Sequence, residues 1–250
     1  MTLYLIGLGL ADQKDISVKG LEIVKSADFI YLENYTSVLQ CSKEDLEQFY
    51  NQKIILADRE FTEQKTKEII QQAKTKKVAF LVIGDPFSAT THIELFRLAQ
   101  ENNLKVKIIN NASVLTAVGI TGLQLYKFGK TTSIPFDNND LETPYQVLKD
   151  NLSLGLHTLF LLDLKPEENR FMTLNEAIGI LESIELKKKE KIIQDNTLVI
   201  GCARLGTDQF KVKVSHLKDV KSVDFGLPPH SLIIPGKLHF MEEEVLKFFK

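Results

Sequence analysis

Cysteine is scarce: Cys41 and Cys202 are the only two in 250 residues. Neither sits in a CxxC pair, and no histidine stands near either at metal-ligand spacing. A disulfide framework and a cysteine-rich metal site are therefore excluded, and both residues read as reduced thiols of a cytoplasmic protein. An excess of one charge is missing as well. Lys and Arg number 31 against 33 Asp and Glu, a net charge of −2, so bulk charge does not drive this chain onto a polyanion and no direct nucleic-acid partner is expected. No apolar run approaches membrane-spanning length, and no membrane association is expected. The opening stretch, MTLYLIGLGLADQKD, carries no basic leader and meets Asp12 and Asp15 early; it reads as a first strand rather than a signal peptide. Repeats and low-complexity segments are lacking.

Most familiar catalytic signatures are also lacking. Gly7-x-Gly9 has Asp12 where a dinucleotide fingerprint needs its third glycine. There is no GxxxxGK[ST], no GxSxG elbow, no HExxH and no dense His/Asp/Glu cluster, so no metal site is expected. A hydrolase or a nicotinamide dehydrogenase is poorly served by what remains.

What is present centres on Val78–His92, VAFLVIGDPFSATTH. Val78–Ile83 is an unbroken apolar run, as expected of a strand covered on both faces of a parallel sheet. Gly84-Asp85-Pro86 stops it, and a helical pattern resumes at Ile93. Strand, sharp loop and helix in that order place Asp85 and Ser88 where open α/β sheets bind ligands. Further strands are predicted at Leu3–Ile6, Phe29–Leu32, Ile54–Leu56 and Val106–Ile109, with helices over Val18–Ser26, Lys43–Tyr50 and Thr62–Thr75 between them. That alternation predicts a mostly parallel α/β sheet.

Asn110–Gly122 changes character, and the domain boundary is expected there, giving residues 1–111 and 112–250. The second part is expected to be α/β with a mixed sheet. Its predicted strands are Thr131–Phe136, His157–Leu164, Thr197–Ala203, Phe210–Val214 and Ser231–Ile234, the third and fourth being able to form a hairpin over Arg204–Gln209. Asp137–Asp140 reads as a turn or exposed loop. Helices are predicted over Pro144–Leu154, from the Thr173–Glu176 capping box to about Glu185, and over Glu242–Phe249.

The strand-end loops are small and poor in acid–base groups, which suits a site that positions an already activated compound. Asp85 can serve a ligand or cap the following helix; Ser113 can do both. His92 is expected to pack or cap, and Asp163 to hold structure. Lys127 and Lys130 face solvent or a protein substrate.

Several long blocks carry a resemblance. They are LYLIGLGL at Leu3–Leu10, ENYTS at Glu33–Ser37, GDPFSATTH at Gly84–His92, NASVLTAVG at Asn111–Gly119 and TGLQLYKFGKT at Thr121–Thr131. GLHTLFLLDL at Gly155–Leu164, RFMTLNEA at Arg170–Ala177 and PPHSLIIPGKLHF at Pro228–Phe240 complete the set. In this order they resemble the diphthine synthases, archaeal-type, of the tetrapyrrole methylase-like superfamily, essentially end to end.

The resemblance implies two α/β domains with S-adenosyl-L-methionine in the cleft between them, leaving as S-adenosyl-L-homocysteine. It implies trimethylation of the amino group of a modified histidine on translation elongation factor 2, in diphthamide biosynthesis, by a cytoplasmic homodimer. It places cofactor contacts at Leu10, Asp85, Ser88, Ser113, Val114, Leu164, Leu205 and His230, and it assigns no catalytic acid, base or metal. A relative acting on a tetrapyrrole shares the donor and differs in the acceptor. A non-catalytic binding module would differ in lacking turnover.

Overall fold

The computed structural model describes residues 2–88, 92–137 and 141–250. Asn138–Asp140 of the expected turn, and Ala89–Thr91 of the GDPFSATTH block, lie outside the described residues. The contacts divide the chain into two compact units, Met1–Ala117 and Val118–Lys250.

The first unit runs β1 (Thr2–Gly7), α1 (Val18–Lys25), β2 (Phe29–Glu33), α2 (Lys43–Tyr50), β3 (Ile55–Ala57), α3 (Arg59–Ala73), β4 (Lys77–Val82), α4 (Ile93–Glu101), β5 (Lys105–Ile109) and the short α5 (Val114–Ala117). Its strands form one all-parallel sheet in the order β3-β2-β4-β1-β5. The unbroken apolar run of β4 is explained by cover on both faces. Val78, Phe80 and Val82 join Leu3 and Leu5 beneath α3 and α4, through Ile69, Ala73, Leu95 and Ala99. Ala79, Leu81 and Ile83 join Ile6 and Leu8 beneath α1 and α2, through Val24, Leu46 and Tyr50. Successive side chains of a strand point to opposite faces, so a central strand with two helical layers is apolar at every position.

The second unit runs β6 (Thr132–Ile134), α6 (Thr143–Ser153), β7 (Thr158–Leu162), β8 (Leu164–Lys165), β9 (Arg170–Phe171), α7 (Leu174–Lys188), β10 (Leu198–Ala203), β11 (Lys211–His216), α8 (Leu217–Val220), β12 (His230–Ile234) and α9 (Phe240–Leu246). Five of its strands form a mixed sheet in the order β11-β10-β12-β7-β6. Only β6 and β7 pair in parallel; the other neighbours are antiparallel, and β10 with β11 makes the expected hairpin. Ala177, Ile178 and Leu181 of α7 lie on Phe160, Val199 and Leu232 of the sheet. The Thr173–Glu176 capping box forms as predicted, and its helix runs on to Lys188.

Several predicted boundaries move, two of them for a visible reason. The strand predicted over His157–Leu164 ends at Leu162, because the Asp163 carboxylate turns aside to accept the N–H groups of Phe136 and Leu164, each at 2.9 Å. Leu164 then opens the separate β8–β9 hairpin. The closing helix starts at Phe240 rather than Glu242, because Glu242 is consumed as the cap, accepting the His239 N–H at 2.7 Å. Among the described residues no helix is long and apolar enough to cross a membrane.

Candidate active site

In the parallel sheet the chain leaves β1 toward β2 and leaves β4 toward β5, in opposite directions across the sheet. The crevice beyond the carboxyl ends of β4 and β1 is therefore a topological switch point. Three adjacent strands, β4, β1 and β5, deliver Asp85 and Ser88, Leu10, and Ser113 and Val114 to that one end.

Glycine makes the crevice close-packed. Gly9 and Gly84 exchange backbone hydrogen bonds at 3.2 and 2.8 Å, which joins the first two loops. Both have left-handed backbone angles, φ 81° and 83°. A Cβ on Gly7 would lie 2.6 Å from the Gly84 carbonyl oxygen and 2.8 Å from Asn111 Cβ. The Leu10 and Ala11 N–H groups are held by Asp15 Oδ2 at 3.1 and 2.7 Å.

Asp85 is buried and fully engaged. Its Oδ1 accepts the Phe87 N–H at 3.1 Å and the Ser88 hydroxyl at 3.0 Å. Its Oδ2 accepts Asn110 Nδ2 at 3.0 Å and the Asn111 N–H at 3.1 Å. Burial alone would raise its pKa, but these four donors outweigh it and hold the carboxyl below the usual range. Asp85 does not cap α4, whose N-cap position is His92 and makes no side-chain capping bond. Ser113 does cap: its Oγ accepts the Leu115 N–H at 3.2 Å, and its own hydroxyl proton is left to donate. His92 is buried against Phe80, with Nε2 at 3.4 Å from the Tyr35 hydroxyl.

The second unit gathers its candidates in the same way. Ala203 of β10 pairs with His230 of β12, and Ser231 pairs with Leu161 of β7. The carboxyl ends of β10 and β7 therefore flank the start of β12, bringing Leu205, His230 and Leu164 to one end of three adjacent strands. Leu205 is buried, and Leu164 and His230 are partly so. His230 Nε2 lies 3.0 Å from the Gly226 carbonyl oxygen, an acceptor, so Nε2 carries the proton. Nδ1 then carries the lone pair, shielded from solvent and, among the described residues, without a hydrogen-bond partner. Burial first of all holds the ring's pKa down and keeps it neutral.

Lys127 is pinned rather than facing solvent: its ammonium reaches the Lys237 carbonyl at 2.7 Å and Glu242 Oε2 at 2.5 Å. It ties the YKFGKT block to PGKLHF. Sequence reasoning missed Asn110 and Asn111 as site builders, although two asparagines directly after a strand are the signal for such side-chain bridging. Arg204, noted only as part of a loop, was missed as well. Among the described residues, no group of three His, Cys, Asp or Glu side chains could hold a metal ion.

The model of the Tetrapyrrole (Corrin/Porphyrin) Methylases matches residues 2–221. The chain is 48% identical over 251 residues to a diphthine synthase of Methanocaldococcus jannaschii, covering 98% of each chain. The chain belongs to the tetrapyrrole methylase family and, within it, to the diphthine synthases. It is a methyltransferase. It is also 44% identical over 269 residues to the diphthine methyl ester synthase of Dictyostelium discoideum, covering 100% of this chain and 98% of the other. A diphthine synthase crystal structure superposes with a TM-score of 0.92 at 40% identity, covering 100% and 96%. The α/β architecture, one parallel sheet and a separate mixed one, is the fold of this family.

Proposed function

We propose that this methyltransferase moves methyl groups from S-adenosyl-L-methionine to the amino nitrogen of a modified histidine on translation elongation factor 2, ending at the trimethylammonium of diphthine. It works as a cytoplasmic homodimer. Leu10, Asp85, Ser88, Ser113 and Val114 of the first unit and Leu164, Leu205 and His230 of the second hold the donor.

The observation that carries this reading is the clustering of those eight positions at the ends of two sets of three adjacent strands. The residue types fit the donor. Leu10, Val114, Leu164 and Leu205 offer apolar surface for a purine and a thioether-like chain. The buried, unpartnered His230 Nδ1 offers a lone pair to an amine N–H, and the Ser113 hydroxyl offers a proton. Asp85 has no free lone pair in this arrangement, so its part is to shape the loops, or to exchange one internal donor for a ligand donor.

When bound, the donor supplies an electrophilic sulfonium methyl. The chain's own task is then to orient: to fix the donor, exclude water and admit a neutral amine in line with the methyl. Well-oriented approach contributes about 7–11 kcal/mol to such a step. No side chain here is required as a nucleophile.

The test is mass spectrometry of elongation factor 2 carrying the modified histidine, before and after incubation with the protein and the donor. Three added methyls that survive mild alkali support the proposal. A fourth that alkali removes would mark an ester and align the chain with the methyl ester synthase relative. No transfer to the factor, with transfer to a porphyrinogen instead, would refute the acceptor assignment. Sedimentation as a monomer would refute the dimer.

A further inference from the structure

Arg204 follows β10 directly, with a left-handed backbone, φ 50°, immediately before Leu205. Its backbone N–H donates to the Pro229 carbonyl at 2.9 Å. Its guanidinium Nη1 donates to the carbonyls of Phe225, at 2.9 Å, and Leu227, and Nε donates to the Gln209 carbonyl at 3.2 Å. Among the described residues it makes no ion pair with a carboxylate. A cation whose described partners are neutral carbonyls orders chain rather than balancing charge.

The two carbonyls held by Nη1 flank Gly226, and Gly226 itself lies against the guanidinium: a Cβ there would sit 3.4 Å from Nη1. With the peptides on either side fixed, the direction of the Gly226 carbonyl is fixed too. That carbonyl is the one that takes the His230 Nε2 proton. The relay therefore runs from guanidinium to the 225–227 backbone, to the His230 tautomer, to the bare Nδ1.

We propose that Arg204 is a positioning residue for donor binding: it fixes the segment 225–229 and thereby presents His230 Nδ1, beside Leu205, to the donor. This rests on the donor reading given above. A lysine cannot replace it, since one ammonium on a flexible stem cannot span diverging carbonyls as the planar fork does.

The test measures S-adenosyl-L-homocysteine affinity by calorimetry in the full-length protein, with Arg204→Lys, Arg204→Gln, His230→Ala and the Arg204→Lys/His230→Ala pair. The expectation for R204K is a loss of about ten-fold or more, the scale of one lost hydrogen bond. KM for elongation factor 2 stays as in the parent. Nitrogen-15 shifts of the His230 ring move from the Nε2–H pattern toward a tautomer mixture, which a loss of general stability would not produce. The double variant binds about as weakly as H230A alone, because both act through one nitrogen. Parent-like binding by R204K and R204Q, with H230A weakened, would overturn the role of Arg204 and leave the donor reading standing. Fully additive losses would overturn it as well. Parent-like binding by H230A would sink the donor reading for this unit, and the present proposal with it.

Discussion

Asp85 Oδ2 accepts the backbone N–H of Asn111 at 3.1 Å, so one carboxylate on the loop after β4 fixes the chain leaving β5. The same oxygen takes Asn110 Nδ2, and the other takes Phe87 and Ser88. Asp85→Asn keeps the shape but turns one acceptor into a donor facing donors. The expected cost is about 2 kcal/mol or more in stability, with S-adenosyl-L-homocysteine affinity reduced in parallel; thermal melting and calorimetry read both. The depressed carboxyl contributes stability that is complete above the ordinary carboxylate range and is lost as pH falls through its own lower value. Parent-like melting of D85N would show that the four contacts are dispensable.

Gly7 stands at a tight point of the crevice. Gly7→Ala would bring a methyl to 2.6 Å from a backbone oxygen, and 2.8 Å from Asn111 Cβ, so the loops after β4 and β5 must move. The expected outcome is a loss of about 1–3 kcal/mol in stability and donor binding too weak for calorimetry. Unchanged affinity in G7A would mean that the loops after β4 and β5 do not hold the donor.

Much of this was legible in the chain itself. The run Val78–Ile83 announces a strand covered twice, because a central strand with cover on both faces keeps every side chain dry. Thr173 announces its helix, because capping is local chemistry. Asp163 was harder: its partner Phe136 is 27 residues away, so nothing local says that the strand stops. Glu242, His157 and Lys127 were illegible for the same reason, since the partners of Glu242 lie 85 and 115 residues upstream. Long-range pairing of polar side chains leaves no periodicity to read.

Those three residues form a knot around a buried carboxylate. Glu242 is 0% exposed, and its Oε1 accepts His157 Nε2 at 3.1 Å and the Gln124 N–H at 2.9 Å. His157 Nδ1 accepts the Gly236 N–H at 3.0 Å, so the ring is the neutral Nε2–H form. Its pKa is lowered, burial prevailing over the pull of Glu242. Burial raises the Glu242 carboxyl, but Lys127, Gln124, His239 and His157 together bring it to about 2. Glu242→Gln is expected to cost about 3 kcal/mol, since it leaves the part-buried Lys127 ammonium with no carboxylate to balance its charge. The parent's stability from this carboxylate is full above about pH 5 and is lost as pH falls from the ordinary value of 4.5 toward 2, a slope that E242Q should lack. Urea midpoints measured from pH 5 to pH 2 decide it, and parallel curves for the two proteins would count against the knot.

His92 makes the corresponding case at milder acidity. The ring is 1% exposed, packed on Phe80 at 5.4 Å between centroids, and burial alone takes its pKa down to about 4. The unfolded chain binds a proton there near pH 6.5, whereas the folded chain does not until about pH 4. Stability from a neutral buried histidine is therefore complete above pH 6.5 and declines as pH falls between those two values. Linkage makes the loss about 2 kcal/mol between pH 7 and pH 5. His92→Phe keeps an aromatic ring on Phe80 and removes the titration, so its stability should fall less over that interval, by about the same amount. The comparison uses the difference between two pH values within each protein, which cancels any fixed packing cost of the phenyl ring. Equal declines for parent and H92F would mean that the native ring already takes up its proton at the ordinary pH, and that water reaches it.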